Sequence, residues 1–167
     1  MGSPRGEFET DMIDLDIPGF GSFTLKHLVL DYNGTLALDG RLLPGVHELL
    51  GMLSKSLEIH VVTSDTFGLA EAELGGLPVK LTIVPEADPA VAKFEYVRWL
   101  GPETVVAIGN GSNDRKMLAA AAIGIFTVQR EGGSVRAMGR ADIITHHVLE
   151  ALELIRNPKR LVATLRS

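Results

Sequence analysis

The 167 residues contain no cysteine. That removes disulfides, thiolate nucleophiles and Cys-type zinc sites, and it accords with a reducing cytoplasm. Aromatic residues are few: one Trp, two Tyr and six Phe. There is no basic cluster, and the formal net charge is −5. The chain therefore lacks the electrostatic footprint and the stacking residues of a nucleic-acid binder. Long apolar runs are also missing. The longest, Leu118 to Val128, has 11 residues, whereas a membrane-spanning helix needs about 20. Neither nucleic acid nor a membrane is an expected partner. Met1 to Phe8 has no apolar stretch of the signal-peptide kind. Residues 1–11 read as an expression leader, Met12 as a natural start, and residues 12–167 as a single domain. No internal repeat, low-complexity tract or linker interrupts it.

What is present is the material of a folded core. Hydrophobic residues make up 46% of the chain and charged residues 22%, a balance found in globular proteins rather than disordered ones. Ile13, Leu15 and Ile17 alternate with Asp14 and Asp16. Pro18-Gly19-Phe20-Gly21 then signals a turn, and Phe23 and Leu25 resume the alternation, so an N-terminal hairpin is expected. Apolar runs that read as buried strands follow at about 27–32, 57–63, 79–84, 104–108, 123–128 and 143–144. Between them lie helical patterns. One starts near Pro44 and carries Val46, Leu49, Leu50 and Leu53. A short one spans about 67–74 and ends at Gly75-Gly76. The next is capped by Asp88 and carries Val91, Phe94, Val97 and Leu100, and another holds Met117, Leu118 and Ala121. The tail, about 147–166, reads as helix, with Pro158 opening its last piece. Strands alternate with helices and are apolar throughout. That predicts an α/β fold with a mostly parallel sheet covered by helices on both faces.

The most informative stretch is Leu28-Val29-Leu30-Asp31-Tyr32-Asn33-Gly34-Thr35-Leu36. A buried strand that stops at a carboxylate and turns on a glycine presents that carboxylate at its carboxyl end, where ligands bind in open parallel sheets. Two more strand ends carry polar groups: Thr63-Ser64-Asp65 and Asn110-Gly111-Ser112-Asn113-Asp114. Lys93 lies on the helix leading into the second of these strands. Together they supply a carboxylate nucleophile, hydroxyl and backbone donors, a cation and a further carboxylate. Phosphoryl transfer through an aspartyl-phosphate needs this inventory plus a divalent metal.

The motifs resemble those of the haloacid dehalogenase (HAD) superfamily. Within it they are most similar to the phosphorylation domain of P-type ATPases. Asp31-Tyr32-Asn33-Gly34-Thr35-Leu36 resembles the pumps' Asp-Lys-Thr-Gly-Thr-Leu, and Val62-Thr63-Ser64-Asp65 resembles their Thr-Gly-Asp. Lys93 stands where the third-motif lysine stands. Gly109-Asn110-Gly111-Ser112-Asn113-Asp114 resembles Gly-Asp-Gly-x-Asn-Asp, and Ala141-Asp142-Ile143-Ile144 resembles the stretch that follows it in the pumps. The likeness runs from about residue 28 to 166. It implies a three-layer Rossmann-like HAD core and a Mg²⁺-dependent phosphatase. In that reading Asp31, Asn33, Thr63 and Lys93 are catalytic. Gly34, Thr35, Thr63, Ser64, Lys93 and Asn113 bind phosphate, and Asp31, Asn33, Asn110 and Asp114 hold the metal. Only about 28 residues separate Thr35 from Thr63, and Asp65 from Lys93, too few for a cap or nucleotide-binding domain. The implied protein is a soluble, capless phosphatase with a phosphorylated substrate, covered by a neighbour in a homo-oligomer or acting on large substrates.

Two positions depart from the phosphatase pattern. Asn33 stands where phosphatases of this superfamily carry the general acid/base, and an amide does not shuttle protons at neutral pH. Losing such help costs about 10²–10⁴ in rate. Asn110 replaces a metal-binding Asp and removes a negative charge. The expectation is a slow phosphatase, or alternatively a phosphate- or metal-binding regulatory module or a partner of a P-type pump. Other polar residues have plainer readings. Asp65 serves equally well as a helix cap, Asn113 as a loop-positioning residue, His60 as a satisfied strand residue, and His146-His147 as the start of a helix.

Overall fold

A computed structural model describes residues 11–167. Apart from Asp11, the leader expected at residues 1–11 lies outside the described residues. Six parallel strands form the central sheet: β3 (His27–Leu30), β6 (Glu58–Thr63), β7 (Val79–Ile83), β8 (Val105–Gly109), β9 (Ile123–Thr127) and β10 (Ile143–Thr145). Their order is β10-β9-β8-β3-β6-β7. From β3 the chain winds first to one side, through β6 and β7. It then crosses to the other side for β8, β9 and β10. The winding reverses beside β3, and the crevice at such a reversal is where α/β sheets bind ligands.

Period-two alternation divides each strand between two cores. Leu28, Leu30, Ile59, Val61, Ile123 and Ile125 face one core. Helices α1 (Val46–Leu53), α6 (Val148–Arg156) and α7 (Pro158–Leu165) cover it. Val29, Val62, Val105 and Ala107 face the other, under α3 (Pro89–Leu100) and α4 (Arg115–Ala120). Because both faces are covered, the strands are apolar on both sides, which is why no alternation shows in them. β1 (Ile13–Ile17) and β2 (Gly21–Leu25) form the expected hairpin, which is a separate two-stranded sheet. Leu15, Ile17 and Leu25 point from it into the first core.

Three features differ from the sequence expectation. A small hairpin, β4 (Ala37–Leu38) with β5 (Arg41–Leu42), follows the Asp31 loop. Its strands are too short to produce a pattern. A four-residue helix, α5 (Val135–Met138), precedes β10. The third concerns α3. Asp88 caps it as expected, accepting from the Val91 N–H, but its buried residues are Ala90, Lys93 and Val97. Of the apolar face read from the sequence, only Val97 is buried. The buried stripe keeps helical spacing, and a lysine sits in the middle of it. Turning Lys93 inward leaves Phe94 and Leu100 half-exposed.

Candidate active site

Asp31 is the residue after β3, and its N–H donates to the Ile108 carbonyl at 3.1 Å. The ladder with β8 thus continues one residue past the strand and fixes where the carboxylate stands. Asn110 stands in the corresponding place after β8. Lys93 comes down from α3 between them. Its Nζ is 2.7 Å from Asp31 Oδ1 and 2.7 Å from Asp114 Oδ1, and 3.4 Å from Asn113 Oδ1. The three charged side chains are 1%, 8% and 0% exposed for Lys93, Asp31 and Asp114. One buried cation therefore serves two buried carboxylates. Burial opposes the Lys93 charge, but Asp114 and Asp31 outweigh it and hold the ammonium above the ordinary lysine value. Burial, reinforced by the negative charge of Asp114, pushes the Asp31 carboxyl up to about 6, against the pull of Lys93 and Thr35.

The loop after Asp31 is folded back on itself. The N–H groups of Thr35, Leu36 and Ala37 all donate to the Tyr32 carbonyl at 2.9–3.2 Å. Gly34 has φ +83, and a Cβ there would run into the Asn110 amide and Glu131 Oε2, so the turn requires glycine. The Thr35 hydroxyl is 3.1 Å from Asp31 Oδ2 and 3.3 Å from Asn110 Oδ1. Asn110 donates through Nδ2 to the Gly132 carbonyl, which leaves its Oδ1 turned toward the site. Asn33 Oδ1 is buried and has no hydrogen-bond partner among the described residues. A buried amide oxygen left without a donor is costly, and Thr127 Oγ1 and Thr145 Oγ1 share that condition.

Asp114 plays a supporting part. Its Oδ1 accepts from Lys93, and its Oδ2 accepts from the N–H groups of Asn110 and Gly111 at 3.1 and 2.9 Å. Both oxygens are engaged, so Asp114 holds the loop and Lys93 from behind, as Asp31 holds Lys93 and Thr35 from in front. Thr63 ends β6 on the neighbouring strand, and its buried Oγ1 accepts from the Asp65 N–H at 3.0 Å. Asp65 in turn accepts from the N–H of Ala70, the first residue of α2 (Ala70–Glu73), from five residues upstream, while Leu69 holds the N-cap position. Neither Thr63 nor Ser64 is hydrogen-bonded to the Asp31 cluster.

Two residues that the sequence did not single out complete the surroundings. Gln129 donates through Nε2 to the carbonyls of Gly34 and Thr35 at 3.1 and 2.8 Å, and accepts from the Val148 N–H through Oε1. It ties the Asp31 loop to α6. Glu131 lies against Gly34, and burial raises its carboxyl, with Asp39 adding to the effect. Beside Gly34 opens a cavity of about 300 Å³, lined by Leu38, Leu43, Gln129, Arg130, Glu131 and His147 among others. The one sequence signal for Gln129 is a polar residue immediately after an apolar strand. His147 caps α6 with Nδ1.

A sheet whose winding reverses at an Asp-ended strand, with a lysine reaching that Asp from the covering helix, defines the class. The fold is that of the HAD superfamily hydrolases. It is similar to 3-deoxy-D-manno-octulosonate 8-phosphate phosphatase of Moraxella catarrhalis, solved with magnesium, phosphate and KDO. That likeness has a TM-score of 0.62 and 20% identity, over 85% of this chain and 94% of that one. The cobalt-bound phosphatase of Haemophilus influenzae gives a TM-score of 0.61 and 17% identity, over 83% and 92%. A zinc-transporting P-type ATPase in its E2.Pi state gives 0.55 and 24%, over 73% of this chain and 20% of the pump. In sequence, the chain is 35% identical over 80 residues to an uncharacterised protein of Methanocaldococcus jannaschii, covering 46% of this chain and 86% of that protein. It is 44% identical over 39 residues to a second, covering 23% and 89%. The chain belongs to one family with these two proteins. No family model matches it.

Proposed function

We propose that this protein is a metal-dependent phosphohydrolase that cleaves phosphate monoesters through an aspartyl-phosphate on Asp31. The observation that carries this reading is the buried bridge Asp31–Lys93–Asp114 at the reversal point of the sheet. A buried carboxylate that must share its counterion with a second one is a poor structural choice and a good nucleophile. Asp31 attacks phosphorus, and the bond to the leaving oxygen breaks. Water then attacks the same phosphorus, breaks its bond to Asp31 and releases phosphate. Lys93 and the Thr35 hydroxyl stabilise charge around the carboxylate and the phosphoryl group, with Gly34, Thr63, Ser64 and Asn113 around the phosphate. The leaving group recovers its proton from water, because Asn33 has none to give.

The donors at hand are oxygens: Asp31, Asn110 Oδ1 beside Thr35, and the buried, unpartnered Oδ1 of Asn33 in the adjoining loop. An all-oxygen set suits a hard cation, and these three residues would hold Mg²⁺. When bound, the ion neutralises charge on the phosphoryl oxygens. Asp31 is the one formal charge among the three, so binding is weak. The leaving group occupies the cavity beside Gly34, over which the described residues place no cap domain. Among the described residues no helix is long and apolar enough to cross a membrane. The substrate is a phosphorylated compound, and the absence of cysteine accords with a reducing cytoplasm.

The test is hydrolysis of p-nitrophenyl phosphate with Mg²⁺ by the wild type and by Asp31→Asn. Activity confined to the wild type supports the reading, and equal rates end it. The two Asn residues favour a second reading, a phosphate-binding regulatory module. Beryllofluoride with Mg²⁺ raising the melting temperature, in a protein that shows no turnover, would establish that alternative.

A further inference from the structure

The opposite rim of the sheet holds a second cluster that the phosphohydrolase site does not use. His27 opens β3, and Glu58 and His60 are the first and third residues of β6. Register pairs His27 with Glu58 and Val29 with His60. Alternation therefore sets His27, Glu58 and His60 on one face, the face beneath α3. His27 Nδ1 is 3.0 Å from His60 Nε2, and Glu58 Oε1 is 3.2 Å from that same nitrogen. All three ligand atoms lie within 4.8 Å of one another. Tyr96 descends from α3 and puts its hydroxyl 2.7 Å from His60 Nδ1.

We propose that His27 Nδ1, His60 Nε2 and Glu58 bind a transition-metal dication of the zinc class, at the rim of the sheet opposite Asp31. Zinc holds imidazole nitrogens at about 2.0–2.1 Å in a tetrahedron, which sets neighbouring ligand atoms about 3.3 Å apart. The separations of 3.0 and 3.2 Å match that spacing before any ion is added. Two imidazoles and one carboxylate are donors that select zinc, cobalt or nickel over magnesium. Three protein ligands also leave one position for water, on the half-exposed side of His27 and Glu58.

The protonation states agree with the geometry. Burial lowers His60 to about 4, against the pull of Glu58, and burial also lowers His27. Both rings are thus neutral at pH 7, with lone pairs available. Glu58 is ionised, its carboxyl lowered chiefly by the hydrogen bond from Lys80. Tyr96 supplies the outer-shell bond that metal-bound histidines require: with Nε2 on the ion, Nδ1–H donates to the phenol oxygen. The competitor is Lys80, whose Nζ is 2.6 Å from Glu58 Oε1. Its side chain is 65% exposed, so it can swing into water when an ion takes its place.

The full-length protein, stripped with a chelator and kept in excess Mg²⁺ to occupy the oxygen-lined site, is titrated with Zn²⁺ against a chromophoric chelator. Co²⁺ replaces Zn²⁺ in a parallel titration, to read the coordination from its visible absorption. One equivalent of Zn²⁺ and four-coordinate Co²⁺ bands are expected. His27→Gln and Glu58→Gln should weaken binding by about tenfold or more. Lys80→Ala should tighten it, and Asp31→Asn should leave it unchanged. His27 stands at the rim of the fold, so His27→Gln carries the test without disturbing buried His60. Failure to bind an equivalent, binding that His27→Gln leaves intact, or binding lost with Asp31→Asn overturns the proposal. None of these results depends on whether the protein hydrolyses phosphate esters.

Discussion

At the carboxyl rim of the sheet, β3, β8 and α3 bury Asp31, Lys93 and Asp114. At the amino rim, β3, β6 and α3 gather His27, Glu58, His60 and Tyr96. The same strand and helix serve both ends, yet the polar groups are accommodated in opposite ways. The carboxyl rim keeps its charges and leaves one carboxylate in excess. The amino rim keeps its buried groups neutral and sends its charge pair, Glu58 with Lys80, to the surface. A buried charge survives only when paired, and its pairing costs stability relative to an apolar core. A buried neutral ring needs only a hydrogen-bond partner. The first arrangement is the costlier one and is what the proposed chemistry would use, and the second is stable without any ion.

The sharpest break in this comparison is Asp31→Asn. Turnover on p-nitrophenyl phosphate should fall to background. Melting at pH 7 should nevertheless rise by several degrees, because a carboxyl raised from 3.8 to about 6 carries roughly 3 kcal/mol of burden that the variant loses. A variant that melts lower would mean that Lys93 fully compensates Asp31. Next comes Lys93→Met, which leaves two buried carboxylates facing each other. A loss of about 3–5 kcal/mol by urea unfolding is expected, against about 1 kcal/mol for Tyr96→Phe, which removes one neutral hydrogen bond at the other rim. Similar losses from both would erase the distinction.

Asn33→Asp restores a proton donor beside the nucleophile. Turnover on alkyl phosphates, whose leaving groups need that proton, should rise by about 10²-fold. An unchanged rate places the slow step elsewhere. The smallest effect separates the rims by pH in metal-free protein. Asp31 is raised from 3.8 to about 6, so its contribution to folding is complete below about 4 and is lost as pH rises through 6. His60 is lowered from 6.5 to about 4, so its contribution is complete above 6.5 and is lost as pH falls through 4. Between pH 6.5 and 4 the two trends oppose each other. Asp31→Asn, which retains only the histidine trend, should lose melting temperature in acid more steeply than the wild type. Parallel curves would show that one of the two assignments has the wrong sign. Hydrolysis by the wild type should also fall as pH drops through about 6, where Asp31 is protonated.

Much of the fold was legible because strand periodicity and turn residues are local. The six strands and the hairpin of β1 and β2 stand where apolar runs and Pro-Gly signals put them. Asp31 was legible for the same reason, as a carboxylate that interrupts an apolar run before a glycine. β4 and β5 were not, since two-residue strands carry no period. The inward face of α3 was misjudged because its amphipathic pattern is weak and the burial of Lys93 follows from two distant carboxylates. The link from Gln129 to Gly34 spans 95 residues of sequence, and no window of residues reports it.

By itself the sequence determined the alternation of strand and helix, the Asp-ended central strand and the set of chemical groups available at the strand ends. Each depends on neighbours within a few residues, through hydrophobic period and backbone preference. The tertiary structure alone decided which groups meet. It placed one lysine between Asp31 and Asp114, left Asn33 Oδ1 without a donor, and set His27 and Glu58 against His60. Those meetings depend on strand order and register, which long-range packing selects after the local choices have been made.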